Sequence, residues 1–301
     1  MKFVAWLVLP VLAGVVLAMG WQHFRYLKAR RGPVQDRQPL FYGSSTLHVV
    51  TYLRVHPGEA PLEPLRKLRG DLEAGGAARV VYAGLSPGVA LGSSQIAESS
   101  FDAVILAQYP SRGAYEETSR TSTYRAALSR FESHYTHGMD RPVLQNLGLP
   151  MLLLAIRAQQ LLSGAPSLWP LTPVDEADLD EAALERREGM ARLDGLRPYS
   201  EEAVVIFNLL KGGTRAQREA DRRYGLQMAR GFAEGGHGPM HMGRAVTLEG
   251  DADFDRVAIV YYPGISYFQE LMTSRFFDSI VGGKQPGDTL AVPTVPVLDR
   301  L

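Results

Sequence analysis

One pattern occurs twice in this chain of 301 residues and limits what the chain can fold into. Residues 101–110 (FDAVILAQYP) and 254–263 (FDRVAIVYYP) each begin with Phe-Asp, continue as an apolar run and end in Tyr-Pro. The offset is 153 residues (254 − 101), and it also places Tyr115 on Phe268. Apolar runs of this length favour strands, and the proline ends the strand because it has no N–H to donate. The repeat therefore predicts two units of like architecture.

In the first unit, turns and apolar periodicity predict strands and helices in the order β-α-β-β-α. The predicted elements are strands over 46–55, 77–85 and 101–109 and helices over 61–74 and from 110 to about 135. The apolar segment 151–162 is either a core helix or the closing strand, and periodicity does not choose between these two.

The second unit repeats this order. Strands are predicted over 202–210, 239–248, 254–262 and 288–297, and helices over 214–234 and 267–281. Pro293 and Pro296 in the last strand predict an edge position in the sheet, because neither can donate a ladder hydrogen bond.

The predicted fold class is α+β, with an N-terminal transmembrane helix followed by two ferredoxin-like β-α-β-β-α-β domains that form an intramolecular pseudo-dimer. A four-stranded sheet with both helices on one face leaves its other face to be covered, and a second copy can cover it. The predicted boundaries are an anchor at 1–22, a basic linker at 23–44, domain 1 at 45–163, a linker at 164–198 and domain 2 at 199–301.

The anchor prediction comes from Phe3–Trp21, which is 19 residues long and carries no charge. Such a helix would be ~28 Å long, close to the ~30 Å of a bilayer core. A cleaved signal peptide ending at Ala18-Met19-Gly20 is the alternative. Basic residues follow between Arg25 and Arg31, which predicts a single-pass protein with most of its chain in the cytoplasm. The expected partners are the lipid bilayer, through Phe3–Trp21, and a membrane protein.

Composition removes several classes of function. The 32 basic and 32 acidic residues cancel, so no nucleic-acid partner is expected. The chain has no cysteine, which excludes disulfides, thiolate catalysis and cysteine-bound metals. Phosphate-loop, dinucleotide-binding and G-x-S-x-G motifs do not occur. No cofactor is expected.

The order Phe-Asp, apolar strand, Tyr-Pro and helix, with SRFF at Ser274–Phe277, resembles the dimeric α+β barrel superfamily, and most of all its small domains of unknown function. The superfamily also holds antibiotic-biosynthesis monooxygenases, muconolactone isomerases, chlorite dismutases and dye-decolorising peroxidases. The resemblance implies the fold over residues 46–135 and 199–301. It implies no particular reaction, because these families place different chemistries in one cleft.

Aromatic side chains near the ends of the repeated strands are the candidate site. We interpret them as the wall of an apolar ligand cleft between sheet and helices, with one arginine placed to orient an anionic ligand. Ordinary core packing and a solvated arginine are the alternatives. The candidate ligand-cleft residues are Tyr109, Tyr262, Tyr267, Phe277 and Arg275.

Residues 237–242 (HGPMHM) are the densest group of soft-metal ligands. Strand alternation would place Met240 and Met242 on one face and His241 on the other, so four ligands cannot converge. No metal site is predicted, and His237, His241 and Met242 are the candidates should one exist.

Two further pairs of polar residues are candidates for chemistry. His134 and His137 are one turn apart in the predicted second helix, a spacing that two metal ligands could use. We expect them instead to be exposed residues that cap the end of the helix. Asp102 and Asp255 recur at equivalent strand starts, which predicts turn or capping roles over acid–base catalysis.

Two functions follow from these features. The first is a non-catalytic, membrane-anchored binding or assembly module that holds a partner protein or a small apolar ligand. The alternative is a cofactor-independent monooxygenase- or isomerase-like enzyme acting on a hydrophobic small molecule. Whether the chain is an enzyme is left open.

Overall fold

The computed structural model describes residues 46–96, 100–141, 143–281 and 287–301, together with residues 10, 12–18, 20, 21 and 24. The strands are β1 (Leu47–Arg54), β2 (Arg79–Leu85), β3 (Ala103–Tyr109), β4 (Ser133–Asp140), β5 (Val204–Leu210), β6 (Gly238–Thr247), β7 (Arg256–Tyr262) and β8 (Thr289–Pro296). The helices are α1 (Leu62–Ala74), α2 (Arg112–Ser119), α3 (Ser122–Leu128), α4 (Val143–Leu162), α5 (Glu181–Ala191), α6 (Arg215–Gly235), α7 (Ile265–Met272) and α8 (Arg275–Val281). Short 3₁₀ helices cover Glu176–Asp178, Arg192–Leu196 and Leu298–Arg300.

The eight strands form one closed antiparallel barrel in the order β1-β3-β2-β8-β5-β7-β6-β4. Each half contributes four strands, and in each half the spatial order is fourth, first, third, second. Two seams join the halves. One pairs Gly84 and Leu85 of β2 with β8, and the other pairs β4 with β6 from His137↔Thr247 to Asp140↔Arg244.

The repeated stretches occupy equivalent places in this barrel. The 153-residue offset superimposes the bounds of β3 on those of β7, of α2 on those of α7, and of α3 on those of α8. Both β3 and β7 are the third strand of their half and lie between its first and second strands. The same local pattern therefore produces the same three consecutive elements.

Strand alternation separates two apolar cores. Val50 faces Leu106 across β1 and β3, and both belong to a cluster without helical residues, which fills the barrel interior. The next pair, Val49 and Ala107, belongs to a cluster that includes residues of the surrounding helices. The helices therefore cover the outside of the barrel, and clefts can form between helix and sheet.

The predicted α+β class is confirmed. The predicted transmembrane helix is wrong for the residues that the structure describes. In the part of the chain that the structure describes, no helix is both long enough and apolar enough to cross a membrane. Of Phe3–Trp21, only residues 10, 12–18, 20 and 21 are among them. The rest of that stretch and, apart from residue 24, the basic linker at 23–44 lie outside the described residues.

The pseudo-dimer was expected to be two sheets that cover each other, and the structure instead has one continuous barrel. The β2–β8 and β4–β6 seams connect the two sets of strands by backbone pairing. Pairing at both edges removes the free sheet edges, which would otherwise be open to other strands.

The largest local error concerns the predicted helix from 110 to about 135. The chain forms α2 and α3 there, and β4 then closes the first half. β4 was missed because its sequence, SHYTHGMD, lacks an apolar run. The segment 151–162, for which periodicity does not choose between helix and strand, is the second part of helix α4.

The expected edge position of β8 is also wrong, because β8 lies between β2 and β5. On the side that faces β2, the backbone of Ala291 forms hydrogen bonds with Leu91, and pairing with β2 itself begins only at Val295. Backbone N–H groups alternate in direction along a strand, so the nitrogen of Pro293 points to this same side, between the two paired positions. The missing N–H therefore removes no ladder bond.

Candidate functional site

A cleft of about 740 Å³ lies on the outside of the first half, between the α2–α3 pair, the start of β4 and the loop after β6. Its lining combines tyrosines, apolar side chains and several charged groups. The lining residues are Arg112, Tyr115, Glu116, Ser119, Arg120, Tyr124, Arg125, Leu128, Ser129, Phe131, Glu132, His134, Leu248 and Glu249.

Two capped helices position the tyrosines. The Ser111 hydroxyl accepts the N–H of Ala114 at 3.1 Å and starts α2. The Thr121 hydroxyl accepts the N–H of Tyr124, also at 3.1 Å, and starts α3. Such caps satisfy backbone donors that a helix start leaves open. The short helices that result present Tyr115 and Tyr124 to each other.

The two phenols form a paired donor group. The hydroxyl oxygens of Tyr115 and Tyr124 are 3.5 Å apart, and their rings are perpendicular with centroids 6.1 Å apart. Tyr109 packs edge-on behind Tyr115 at 5.3 Å. Burial raises the pKa of Tyr115 to about 12 and raises the pKa of Tyr124 further. Both hydroxyls are therefore protonated at neutral pH and can donate hydrogen bonds.

The acidic group of the cleft comes from the second half of the chain. Glu249 follows β6, which the β4–β6 seam holds against the first half. Its carboxylate Oε2 is 3.7 Å from Nε2 of His134, the second residue of β4. The side chains are 31% and 33% exposed, so both can be reached from the cleft.

Glu249 is the most chemically distinctive residue of the cleft. Burial raises the pKa of its carboxyl above the ordinary value, although the charge of His134 and hydrogen bonds with Thr136 act in the opposite direction. The negative charge of Glu249 in turn raises the pKa of Tyr115 and of Tyr124. A carboxyl with a raised pKa on the wall of a cleft is typical of acid–base sites.

In the equivalent region, the second half lacks phenols at the two matching positions. The 153-residue offset places Phe268 where the first half has Tyr115, and Phe277 where it has Tyr124. Phe268 and Phe277 are both buried. At these two positions the second half therefore has rings without hydroxyl groups.

The linker between the halves covers that second region. The ring of Trp169 packs on Tyr267 with centroids 4.6 Å apart, and Pro173 forms a β-bridge with Ser274. The N–H of Arg275 donates to the carbonyl of Thr172 at 2.8 Å. The region is thus closed, whereas the cleft of the first half is open.

The sequence-predicted cleft residues divide between these two regions. Tyr109 is buried behind the open cleft, in contact with Tyr115. Tyr262, Tyr267 and Phe277 lie in the closed region. Arg275 forms ion pairs with Asp175 and Asp178 of the linker. Their role in binding a ligand stays a prediction.

The candidate metal ligands are dispersed. His237 is buried among aromatic rings, with Tyr267 at 4.8 Å. His241 is also fully buried, with its ring 5.4 Å from that of His48, because a bulge between Pro239 and His241 breaks the expected alternation. Met242 is half-buried. Residues 46–301, so far as the structure describes them, contain no group of three or more His, Asp or Glu arranged to hold a metal ion.

The other two pairs have separate roles. His134 and His137 lie on strand β4 and not on a helix, so the predicted one-turn spacing is wrong. His137 is fully buried and its Nδ1 is 3.0 Å from the Tyr135 hydroxyl. Asp102 accepts the N–H of Val55 at 2.9 Å, and Asp255 accepts that of Gly212 at 2.6 Å. Both aspartates thus bind the chain where the first strand of their half ends.

Sequence reasoning missed Tyr115, Tyr124, His134 and Glu249 as one site. The replacement of Tyr by Phe between the two copies could have indicated the site, because the two otherwise similar units differ in hydroxyl groups at these positions. Glu249 gave no local signal, since only the β4–β6 seam brings it to the cleft.

A scan of known protein families finds none that matches this chain, and no curated protein matches its sequence. Among solved structures, the chain is similar to a candidate monooxygenase from Lactobacillus acidophilus NCFM, with 7% identity over 84% of this chain and 94% of that one and a TM-score of 0.41. It is also similar to an anthrone oxidase-like protein, with 11% identity over 85% of this chain and 92% of that one and a TM-score of 0.40. A third similar structure is a variant of chlorite dismutase from Candidatus Nitrospira defluvii, with 12% identity over 88% of this chain and 97% of that one and a TM-score of 0.42. At these values the similarity carries no conclusion about activity.

Proposed function

We propose that the open cleft binds a flat, largely apolar small molecule and that Glu249 exchanges a proton with it, as a cofactor-independent isomerase-type enzyme would. The apolar surface comes from Leu128, Phe131 and Leu248 and from the rings of Tyr115 and Tyr124, and polar and charged side chains make up the rest of the lining. A concave site that combines apolar surface with polar groups able to orient a ligand is typical of small-molecule binding. The observation that carries the proposal is the raised pKa of Glu249 on the wall of a cleft that also holds two protonated phenols.

The chemistry that these groups can supply is proton transfer next to a carbonyl. The ionised Glu249 carboxylate removes a proton from the carbon beside the carbonyl, and the C–H electron pair moves to form an enolate. Hydroxyl groups of Tyr115 and Tyr124 donate hydrogen bonds to the oxygen that gains negative charge. Glu249 then returns its proton to a carbon of the same delocalised system, so the net reaction is an isomerisation without oxidant or cofactor.

A non-catalytic ligand-binding role of the same cleft is the second candidate. The apolar part of the lining supports it, because these side chains would hold a ligand whether or not Glu249 reacts. The two candidates differ in one measurable property, which is transfer of a ligand proton to solvent.

The test uses 2-tetralone, a flat apolar ketone with acidic protons beside its carbonyl. Loss of those proton signals in D₂O, followed by ¹H NMR, measures the exchange rate. We expect the protein to accelerate exchange and Glu249→Gln to lower the catalysed rate at least ~100-fold, the scale of general acid–base catalysis. Glu219→Gln, an exposed carboxylate on α6, is the matched control and should leave the rate unchanged.

Three outcomes separate the candidates. Binding with exchange that depends on Glu249 supports the enzyme. Saturable binding of 2-tetralone without acceleration over buffer supports the binding role alone. Acceleration that survives Glu249→Gln contradicts the assigned role of this carboxyl.

A further inference from the structure

We infer that the ligand of the open cleft carries an anionic group, such as a carboxylate, sulfonate or phosphate, and that Arg125 together with Arg120 binds this group. The inference rests on the proposed function of the cleft and names the class of its substrate. It comes from the distribution of charge in the lining, and the raised pKa of Glu249 plays no part in it.

The helical wall of the cleft carries more positive than negative charge. Arg112, Arg120 and Arg125 line it, and Glu116 is the carboxylate that these helices contribute to the lining. Glu117, also on α2, is exposed and lies outside the lining. Arg112 is 2.9 Å from Glu116 and Arg120 is 4.0 Å from it, so one carboxylate serves two guanidinium groups. Glu116 can neutralise one of the three arginine charges, so two positive charges on this wall remain.

The carboxylates of the strand side lie beside other basic residues and not beside these arginines. Glu132 is 3.2 Å from Arg54, which lies on β1. Glu249 is 3.7 Å from His134. Within the part of the chain that the structure describes, no carboxylate forms an ion pair with Arg125, and its neighbours are backbone carbonyl groups.

Those carbonyl groups fix the position of Arg125. Its Nη2 donates to the carbonyl of Arg120 at 3.2 Å, and its Nε lies 3.5 Å from the carbonyl of Thr121. Both acceptors belong to the junction between α2 and α3. A guanidinium held by neutral acceptors keeps its full charge and has further N–H donors for an anion, which it can bind in a bidentate manner.

The cleft therefore has two polar sides with some apolar surface. Arginines lie on the helical side, Glu249 and His134 on the strand side, and Leu128, Phe131 and Leu248 contribute apolar surface. The ligand that fits this arrangement is a flat hydrophobic molecule with an anionic substituent at one position and the exchangeable proton at another. A wholly neutral hydrocarbon-like ligand would leave the charged helical side unused.

The test compares two fluorescent probes that differ by one anionic group. These are 8-anilino-1-naphthalenesulfonate and its counterpart without the sulfonate, N-phenyl-1-naphthylamine. Affinity and stoichiometry are measured on the whole protein by fluorescence and calorimetry, at low and high salt. The variants are Arg125→Gln and Arg120→Gln, and Arg215→Gln at the exposed start of α6 is the control.

We expect the sulfonated probe to bind one site more tightly than the neutral probe. Arg125→Gln should weaken the sulfonated probe about tenfold, a typical loss for one charge-assisted contact, and change the neutral probe less than twofold. High salt should reduce the difference between the probes. Equal affinity of the two probes, or unchanged sulfonate binding in Arg125→Gln, overturns the inference.

A cleft-filling variant, Ser129→Trp, distinguishes this failure from failure of the proposed function. If both probes lose affinity in this variant but neither responds to Arg125, the cleft binds ligands and only the anionic class is wrong. If neither probe responds to Ser129→Trp, the probes bind elsewhere, and both the cleft and the inference are contradicted. Circular dichroism of each variant checks that it is folded.

Discussion

The imidazole Nε2 of His134 and the carboxylate Oε2 of Glu249 lie 3.7 Å apart, although the two residues come from different halves of the chain. The pair exists because β4 and β6 are hydrogen-bonded neighbours at one seam of the barrel. The open cleft is consequently a product of both halves, with its tyrosines from the first and its carboxylate from the second.

The raised pKa of Glu249 predicts a specific dependence of stability on pH. A folded-state pKa above the unfolded value of 4.5 means that the folded protein binds this proton more tightly. The resulting stability is present below pH 4.5 and is lost as pH rises through the folded-state pKa. We expect Glu249→Gln to remove this decline from the free energy of unfolding, measured in urea across this range. An unchanged decline in the variant would contradict the assignment.

The tyrosine hydroxyls should matter more for chemistry than for folding. We expect Tyr124→Phe to cost about 1 kcal/mol of stability or less, because Phe277 fills the equivalent position of the second half. The catalysed exchange of 2-tetralone should fall by about 100-fold, as for loss of one donor to a developing oxyanion. Urea unfolding and NMR exchange measure the two effects. Tyr199→Phe, outside the cleft, is the control and should change neither.

Buried histidines should make the protein sensitive to acid. Burial, followed by the charge of Arg141, lowers the pKa of His48 to about 3, and burial lowers that of His137 to about 4. Stability from these neutral imidazoles is present above the unfolded value of 6.5 and is lost as pH falls toward about 3. We expect His137→Gln to flatten the acid side of the unfolding curve.

The exposed His56→Gln is the matched control for this prediction. An acid-side slope that is equal in the two variants would show that His137 is not protonated on unfolding in this range.

The β4–β6 seam depends on a glycine. A Cβ atom at Gly243 would collide with the backbone carbonyl of Asp140 and with the Met139 side chain. We expect Gly243→Ala to lower the free energy of unfolding by about 1–3 kcal/mol, the usual cost of overpacking, and to weaken probe binding in the cleft.

Gly225→Ala provides the contrast, because nothing lies near its Cβ on the exposed face of α6. It should stabilise the protein by about 0.5–1 kcal/mol through helix propensity. Thermal unfolding of both variants measures these changes, and destabilisation by both would argue against a specific role of the seam.

The sequence by itself determined the elements whose signals are local. The Phe-Asp and Tyr-Pro boundaries fixed β3 and β7, and the helix-forming segments after them gave α2 and α7, because apolar runs, caps and prolines act within a few residues. It also determined that the first copy carries Tyr115 and Tyr124 where the second carries phenylalanine.

Only the tertiary structure decided how these elements combine. β4 has no apolar run and is a strand because β1 and β6 supply its hydrogen-bond partners, and β8 accommodates Pro293 because part of its β2-facing side is unpaired. The meeting of Glu249 with His134 and the two tyrosines depends on closure of the barrel. Pairing between distant strands depends on the whole chain, so no local sequence pattern around Glu249 could have predicted that it lies beside His134.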